Sequence, residues 1–488
     1  MPKVTLPIAQ GFYESPSIPV ANQRCVNLYP VVTQSQSPFT EYLLGTPGTT
    51  LLTTTGETNQ VNRGGWVMAG IPYFVNGTTL YRLNRAVDVD GNETFSATSL
   101  GTVPGTARCQ FADNGTELLI LAEGNGYIYD GSFAQITDTD FTTTNGTPVS
   151  VAFIDSFFIV STDTKKIKKS AANDGTTWEP LEFASAETSP DEIVGLNVFR
   201  NQLYVFGEQT IEPFENAGLG GFPFQRITGA VLPKGLSARD AVVNTSDAFL
   251  WLGKGINETP AVWMSNGGAP QKVSTTAIDN KLAELSPEDI SACFAWSYAE
   301  SGAYFVGFSF PTVTYVFDSI TGRWHERESQ VDADGGGTEI VRWRGNSVLQ
   351  AYGRILVGDS QDGRIGELSL GVYTEYDNEL ISFITTMPLY NQSSSISIPC
   401  LEMVCETGVG SYGSEAEIKL ATSKDGRVFN DTIGRKIGEL GDYDARAVWY
   451  RLGRFSRFAV FKFTISDAIK RAFLALEITI KEGVKRHG

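Results

Sequence analysis

Short apolar runs alternate with glycine-containing gaps along most of the chain, and residues 197–216 show this pattern most clearly. Two runs in this stretch, 203–206 and 210–214, are rich in Leu, Tyr, Val, Ile and Phe and are separated by a Gly-Glu-Gln gap. Such residues fit a pleated, half-buried surface, and a short gap that contains glycine allows the chain to reverse. The stretch therefore predicts a β-hairpin.

The same hairpin pattern recurs along the chain. Its second apolar run occurs seven times, at steps of 47, 39, 44, 52, 53 and 49 residues. The seven runs begin at Leu80, Tyr127, Lys166, Thr210, Val262, Tyr315 and Arg364. A period of about 40–50 residues with four strands per unit is typical of β-propeller blades. The pattern predicts a six- or seven-bladed propeller; ordinary β-sandwiches built from the same hairpins are the alternative, because no fixed Trp-Asp or Gly-His signature marks the repeats.

The segments on either side of the repeats differ from them in character. Residues 1–60 are rich in Pro, Thr, Ser and Gln and predict an extended N-terminal arm that packs on another domain or on a neighbouring subunit. Residues 376–488 predict a separate β-sandwich platform domain, with strands at 401–406, 415–422, 448–466 and 473–481. The expected fold is therefore all-β, with an arm (1–60), a propeller (61–375) and a platform (376–488).

One segment inside the repeats has helical rather than strand periodicity. Ile278, Leu282 and Leu285 follow at helical spacing after Ser274, a candidate N-cap, and the run ends at a Ser-Pro pair. A short helix is expected between two blades.

Residues 165–169, Lys-Lys-Ile-Lys-Lys, form the one dense basic run. This run indicates either a contact with phosphate or a solvated edge strand, where lysine blocks pairing between sheets. Residues 171–178 are close to the Asp-box turn of sialidase-type propellers, but Ala171 and Asn173 replace its Ser and Asp. That turn is structural, so it supports a propeller and hardly an enzyme.

Composition narrows the classes of function. The chain of 488 residues is 41% hydrophobic, enough for a large core, and its net charge of −17 makes tight static binding of nucleic acid a poor expectation. The five cysteines are odd in number and scattered, which fits buried free thiols in a reducing compartment. Neither a signal peptide nor an apolar run of about 18 residues is apparent, so we expect no membrane insertion.

The search for chemistry predicts no catalytic, cofactor-binding or metal-binding residue. Only two histidines occur, and we expect His325 to lie in a turn between blades. No nucleophile elbow or phosphate loop is present in the sequence. Glu212, Asp318 and Glu367 end apolar runs, and they are either solvated strand ends or acids gathered at the central channel.

Several stretches together carry a family resemblance. They are residues 193–215, the expected helix at 274–289, residues 315–324, and above all residues 420–466 with TSKDGRVF and VWYRLGRFSRFAVFKFTIS. The N-terminal NLYP and TPG pieces fit the same pattern. With these stretches the chain resembles the packaged-DNA stabilisation proteins of short-tailed bacteriophages, the tail hub or nozzle family. None of the stretches is a catalytic motif.

The resemblance implies a virion component without enzyme activity or cofactor. In that family six copies form a ring below the portal and its adaptor ring. The ring continues the DNA channel, retains packaged DNA and anchors tail needle, tailspike or fibre proteins. The implied location is the virion tail, after synthesis in the cytoplasm of the host bacterium.

Two expectations about the ring follow. Six copies would carry about −102 formal charges at −17 each, and an acidic bore would let double-stranded DNA slide through. Trp449, Arg451 and Arg454 are candidate subunit-interface residues, because aromatic residues and arginine are enriched at interfaces. The alternative is that Trp449 lies in the core and the two arginines form exposed cross-strand pairs.

The competing function is a carbohydrate-binding or sialidase-like propeller. A hydrolase of that kind would offer a recognisable acid, a nucleophile and a secretion signal, and none is evident in the sequence.

Overall fold

Seven four-stranded antiparallel units, which we call blades 1 to 7, follow one another from Asn62 to Ser369. They are seen in a computed structural model that describes residues 3–56, 60–185, 191–332, 336–392, 394–410, 413 and 415–482. The first strands of successive blades lie side by side, and the first strand of blade 7 lies against that of blade 1, so the blades close into a ring. The propeller prediction is confirmed, and the strands form seven units.

The first five blades are separate sheets of consecutive strands. Blade 1 consists of Asn62–Met68, Ile71–Asn76, Thr79–Val87 and Glu93–Thr102. Blade 2 consists of Gln110–Asp113, Leu118–Ala122, Asn125–Tyr129 and Phe133–Gln135. Blade 3 consists of Pro148–Ile154, Phe157–Thr162, Lys166–Ala171 and Asp174–Ser185. Blade 4 consists of Ile193–Phe199, Gln202–Gly207, Ile211–Asn216 and Phe224–Arg226. Blade 5 consists of Val242–Asn244, Phe249–Gly253, Ala261–Ser265 and Gln271–Lys272.

The last two blades belong to larger sheets. Blade 6 consists of Phe294–Glu300, Ala303–Ser309, Thr314–Asp318 and Arg323–Asp332, with Thr338–Arg342 paired to the far end of its fourth strand. Blade 7 consists of Gly345–Ala351, Arg354–Asp359, Arg364–Ser369 and, from the N-terminal arm, Gly48–Thr54. Blade 7 thus joins both ends of the propeller segment in one sheet.

The blades are held together by apolar side chains packed between neighbouring sheets. Every residue of the second strands Leu118–Ala122 and Phe249–Gly253 is buried. Between blades 4 and 5 the ring of Phe249 lies 4.9 Å from that of Tyr204 and 6.0 Å from that of Phe206, measured between centroids. Each sheet is covered on both faces by its two neighbours. The apolar side chains on both faces of a blade are therefore buried.

The C-terminal region is a β-sandwich whose two sheets also contain strands of the arm. One sheet has the order Ala447–Tyr450, Ile396–Cys405, Ala472–Glu482, Glu41–Gly45 and Leu28–Val32, with Lys3–Leu6 and Arg454–Phe455 at its sides. The other has the order Cys25–Val26, Ser382–Thr385, Phe458–Ile465, Glu417–Ser423 and Ile433–Lys436, with Leu389–Tyr390 beside it. Short pairs complete the strands: Tyr13–Glu14 with Asn22–Gln23, and Thr374–Glu375 with Asn378–Glu379.

The propeller and the sandwich share one continuous sheet. Cys25–Val26 pairs in parallel with Arg323–Asp332 of blade 6 and antiparallel with Ser382–Thr385 of the sandwich. The arm therefore connects the two modules through backbone hydrogen bonds.

Three local expectations need correction. The long strand expected at 448–466 is broken, because Arg451 and Gly453 adopt positive φ angles of 58° and 91° and turn the chain. The expected helix is two helices, Thr276–Glu284 and Pro287–Ser291, and Ser286, which we expected to end the run, caps the second. The N-cap of the first helix is Thr275 and not Ser274, because it is the Thr275 side chain that accepts from the backbone N–H of Ile278. The third helix is the short Thr139–Thr142.

Candidate functional site

The central channel of the propeller is lined by the first strands of the blades and by the residues just before them. It contains a cavity of about 460 Å³ that touches blades 1 to 6 and an adjoining one of about 370 Å³ on the side of blades 6 and 7. Trp66, 37% exposed, reaches into this space and donates from Nε1 to Asp113 Oδ1 at 2.8 Å.

The channel is crossed by hydrogen bonds between blades that are not neighbours. Arg239, before blade 5, donates from Nη2 to the carbonyl oxygen of Arg108, before blade 2, at 2.9 Å. Gln110 of blade 2 donates from Nε2 to Asp240 Oδ1 at 3.1 Å. These contacts leave no path for a DNA duplex through a single propeller.

The arm is anchored at the junction of blade 6 and the sandwich by a charged side chain. Arg24 donates from Nε and Nη2 to Glu326 at 2.8 and 2.9 Å and from Nη2 to Glu328 at 2.7 Å. These carboxylates raise the pKa of Arg24 against the opposing effect of burial. Asn27 donates to the carbonyl oxygens of Glu328 and Ile381, which joins the same two modules.

The three candidate interface residues occupy two different environments. Trp449 is fully buried in the sandwich core, where Nε1 donates to the carbonyl oxygen of Ile433 at 2.7 Å. This position agrees with the alternative given in the sequence analysis, in which Trp449 lies in the core and is not an interface residue. Arg451 and Arg454 are exposed, and Arg454 donates from Nη2 to Ser395 Oγ at 2.6 Å.

Sequence reasoning missed Tyr450, which lies between Trp449 and Arg451 and is 64% exposed. The signal was available: successive residues of a strand point to opposite faces, so a buried Trp449 predicts an outward-facing Tyr450. Tyr443, 74% exposed, adds a second aromatic ring to the surface of the sandwich.

The basic run is built into blade 3. Lys168 is buried, and its Nζ shares three N–H donors among four carbonyl oxygens around the helix Thr139–Thr142, at 2.6–3.1 Å. Burial lowers the pKa of Lys168 to about 8. Lys169 is buried against Glu182, and Lys165 pairs with Glu192 at 3.0 Å. The run is therefore neither an exposed phosphate site nor a solvated strand.

The remaining candidates are dispersed over separate blades. Glu212 pairs with Arg226, Asp318 accepts hydrogen bonds in the turn after its strand, and Glu367 pairs with Arg354. His325 is fully buried in the fourth strand of blade 6, not in a turn, and burial lowers its pKa well below the usual range. In the described part of the chain we find no group of three His, Cys, Asp or Glu residues placed to hold a metal ion.

All five cysteines are free, and three of them, Cys25, Cys109 and Cys293, are buried. Within the described ranges no helix is both long and apolar enough to cross a membrane.

Family comparisons cover nearly the whole chain. A model described as "Bacteriophage P22 Gp10, beta-propeller" matches residues 4–373, and one described as "Bacteriophage P22 Gp10, beta-sandwich" matches residues 381–481. The "Tail hub protein gp10" of Salmonella phage P22 is 22% identical over 449 residues, which cover 87% of this chain and 88% of that protein.

Solved structures give weaker likenesses. The WD40 β-propeller domain of Doa1 matches with a TM-score of 0.39 and 12% identity, covering 66% of this chain and 97% of that one. BamB from Moraxella catarrhalis matches with a TM-score of 0.36 and 12% identity, covering 71% and 97%. Both TM-scores are below 0.5 and are too low to indicate a related function.

Proposed function

The chain belongs to the bacteriophage P22 Gp10 family, and from this we propose that it is a structural component of a phage tail, a ring-forming hub without catalytic activity. The observation that carries the proposal is the pair of family matches over propeller and sandwich, together with the relative named as a tail hub protein. The proposed location is the virion tail, after synthesis in the cytoplasm of the host bacterium.

We propose that six copies form a nozzle below the portal and its adaptor ring. This ring continues the DNA channel, retains the packaged DNA and anchors the tail needle and tailspike or fibre proteins. Hydrogen bonds such as that from Arg239 Nη2 to the carbonyl oxygen of Arg108, at 2.9 Å, close the channel of each propeller to DNA. A DNA channel would therefore have to lie between subunits, which supports the proposal of a ring. The division into arm (1–60), propeller (61–375) and platform (376–488) belongs to this proposal, with Gly48–Thr54 contributed by the arm to blade 7.

The bore of the ring is proposed to be acidic, since the net charge of −17 per chain favours a surface from which phosphates are repelled. Carboxylates should then outnumber lysine and arginine along the bore. A cryo-electron microscopy map of the ring tests this directly, and a bore lined by unpaired Lys and Arg would rule it out.

The exposed edge of the sandwich is proposed to form subunit contacts. Arg451 and Arg454 are exposed and follow the exposed Tyr450 within four residues of sequence, and such a combination of aromatic residues and arginine is typical of interfaces. The buried Trp449 would support this edge from inside and would not itself contact a neighbour.

Mass measurement tests both the ring and this edge. Purified protein, alone and with the adaptor protein, should contain a six-copy species by native mass spectrometry. The double substitution Arg451→Glu and Arg454→Glu should reduce that species, while Arg200→Gln, which changes an exposed arginine of blade 4, should not. A chain that stays monomeric with its adaptor, is absent from virions and binds glycans would instead favour the carbohydrate-binding alternative.

A further inference from the structure

Positive charge accumulates in the middle of the propeller although the chain as a whole is acidic. Arg108, Arg239 and Arg342 converge near the starts of the first strands of blades 2, 5 and 7. Asp240 is the carboxylate hydrogen-bonded within this group, since it accepts from Arg239 at 3.0 Å. Asp359, whose charge also acts on Arg342, is paired with Arg344 at 2.7 Å. Arg108 and Arg342 form no ion pair among the described residues, so Asp240 is the one carboxylate paired within the group.

Arg108 is the least satisfied member of the group. Its Nη1 donates to the carbonyl oxygen of Asn346 at 2.8 Å, and its guanidinium lies 3.8 Å above the ring of Phe294. Its Nε is buried and has no hydrogen-bond partner in the described structure. Burial lowers the pKa of Arg108, and the neighbouring Arg239 acts in the same direction. A partly buried cation with a buried, unpaired donor is stabilised when an anion accompanies it.

The other two arginines keep the positive charge in place. Arg239 is fixed by the carbonyl oxygen of Arg108 and by Asp240, and Asp240 also accepts from Gln110. The guanidinium of Arg342 lies 5.4 Å from the centroid of the same Phe294 ring, and burial lowers its pKa to about 10, with Arg108 adding to the effect. The cluster is therefore held rigidly by the protein before any ligand arrives.

The adjoining cavity suits a small ligand. Arg108 and Arg239 both line the cavity of about 460 Å³, together with Gln110, Asn197 and Asn244 and the carboxylates of Asp113 and Asp240. Asp240 is paired with Arg239, and Asp113 accepts from the indole of Trp66. A water molecule takes up about 30 Å³ in the liquid, so the space accommodates an oxyanion and several waters. The crossing hydrogen bonds keep out a nucleic acid duplex.

We propose that the central channel of the propeller is a binding site for a small oxyanion, a phosphate or carboxylate group held by Arg108 and Arg239. Arginine is suited to this role because its planar fork of N–H donors matches both kinds of oxyanion. Such a ligand would neutralise the buried excess charge and strengthen the link between blades 2 and 5. This inference concerns the propeller of a single chain and does not depend on ring formation.

Isothermal titration calorimetry of the full chain tests the site, with inorganic phosphate, citrate and sodium chloride at equal ionic strength as separate probes. We expect phosphate or citrate to bind at one site per chain and chloride not to reproduce the effect. Arg108→Gln should weaken binding about 10- to 100-fold, since it removes a charge-assisted hydrogen bond. Arg200→Gln should leave it unchanged.

Two further measurements keep the test decisive. Circular dichroism shows whether Arg108→Gln still folds; if it does not, Gln110→Glu, which adds negative charge beside Asp240, should weaken phosphate binding in the folded protein. Preference for phosphate or for citrate identifies which oxyanion the site takes. Absence of binding for phosphate and citrate, a binding isotherm that chloride reproduces, or wild-type affinity in a folded Arg108 or Gln110 variant would overturn the proposal.

Discussion

Glu375 is buried where blade 7 meets the beginning of the sandwich, and its replacement by glutamine gives a pH-dependent test of this junction. Its side chain is 3% exposed and accepts a hydrogen bond from Ser329 Oγ at 2.9 Å. Burial raises its pKa from the ordinary 4.5 to about 7, although Arg344 and Ser329 act in the opposite direction. The folded protein therefore holds a proton at Glu375 at pH values where the unfolded chain has released it.

The sign and size of the effect follow from this difference in pKa. Because the folded pKa is the higher one, the stabilising contribution is complete below pH 4.5 and is lost as the pH rises through 7. Each pKa unit corresponds to ~1.4 kcal/mol, so the two pKa values imply a loss of ~2.5 kcal/mol between pH 5 and pH 8. Glutamine carries no charge and can still accept from Ser329, so Glu375→Gln should remove this loss.

The assay is urea unfolding followed by tryptophan fluorescence at pH 5, 6, 7 and 8 for wild type and Glu375→Gln. The difference in free energy of unfolding between the two proteins should change by ~2.5 kcal/mol over this range, in favour of the variant at high pH. Glu379→Gln, at an exposed position nearby, is the matched control and should show no such change. A difference that stays constant from pH 5 to pH 8 would refute the reasoning.

Three further substitutions test separate contacts. Arg24→Met should cost ~2–4 kcal/mol, because it leaves the buried Glu326 unpaired, while the one-third exposure of Arg24 reduces the penalty. Gly307→Ala should cost ~2–3 kcal/mol, since the added Cβ would lie 2.1 Å from the buried indole of Trp296. Lys168→Met should cost ~2 kcal/mol, because it leaves four carbonyl oxygens without their donor. Urea unfolding measures all three.

Matched substitutions separate these effects from general sensitivity. Gly220→Ala adds a Cβ that would meet nothing within 4 Å, and Lys424→Met changes an exposed lysine, so both should be neutral. Arg427→Met, at an exposed arginine, serves the same purpose for Arg24. Each substitution is compared with its control by the free energy of unfolding. An equal value for the two proteins would contradict the contact that the substitution tests.

The repeat in the sequence predicted the propeller well because it is a local signal. All seven apolar runs, including the one starting at Thr210, belong to the third strands of the seven blades, with Thr210 one residue before its strand. Each such strand pairs with its sequence neighbours, so a short stretch of residues contains the information. Blades 1 and 7, at the two ends of the repeat, are complete four-stranded units as well.

What the sequence did not predict depends on contacts between distant segments. Gly48–Thr54 looks like loop by composition, and its strand forms only because Arg364–Ser369 offers an unpaired edge. The lysine-rich run at 165–169 predicts exposed side chains, because lysine is usually exposed in proteins. Lys168 is nevertheless buried, at a place where the end of a helix supplies carbonyl oxygens as acceptors. Arg108 and Arg239 are 131 residues apart and carry no motif that would bring them together.

The sheet of blade 7 can be completed only late in synthesis, because its strands come from both ends of the propeller segment. Gly48 emerges early from the ribosome, but its partner Ser369 follows 321 residues later. At about 5–20 residues per second, the early strand waits roughly 16–64 s before its edge can be covered. During that interval the nascent chain carries an unpaired strand, so ribosome-associated chaperones have a defined segment to protect.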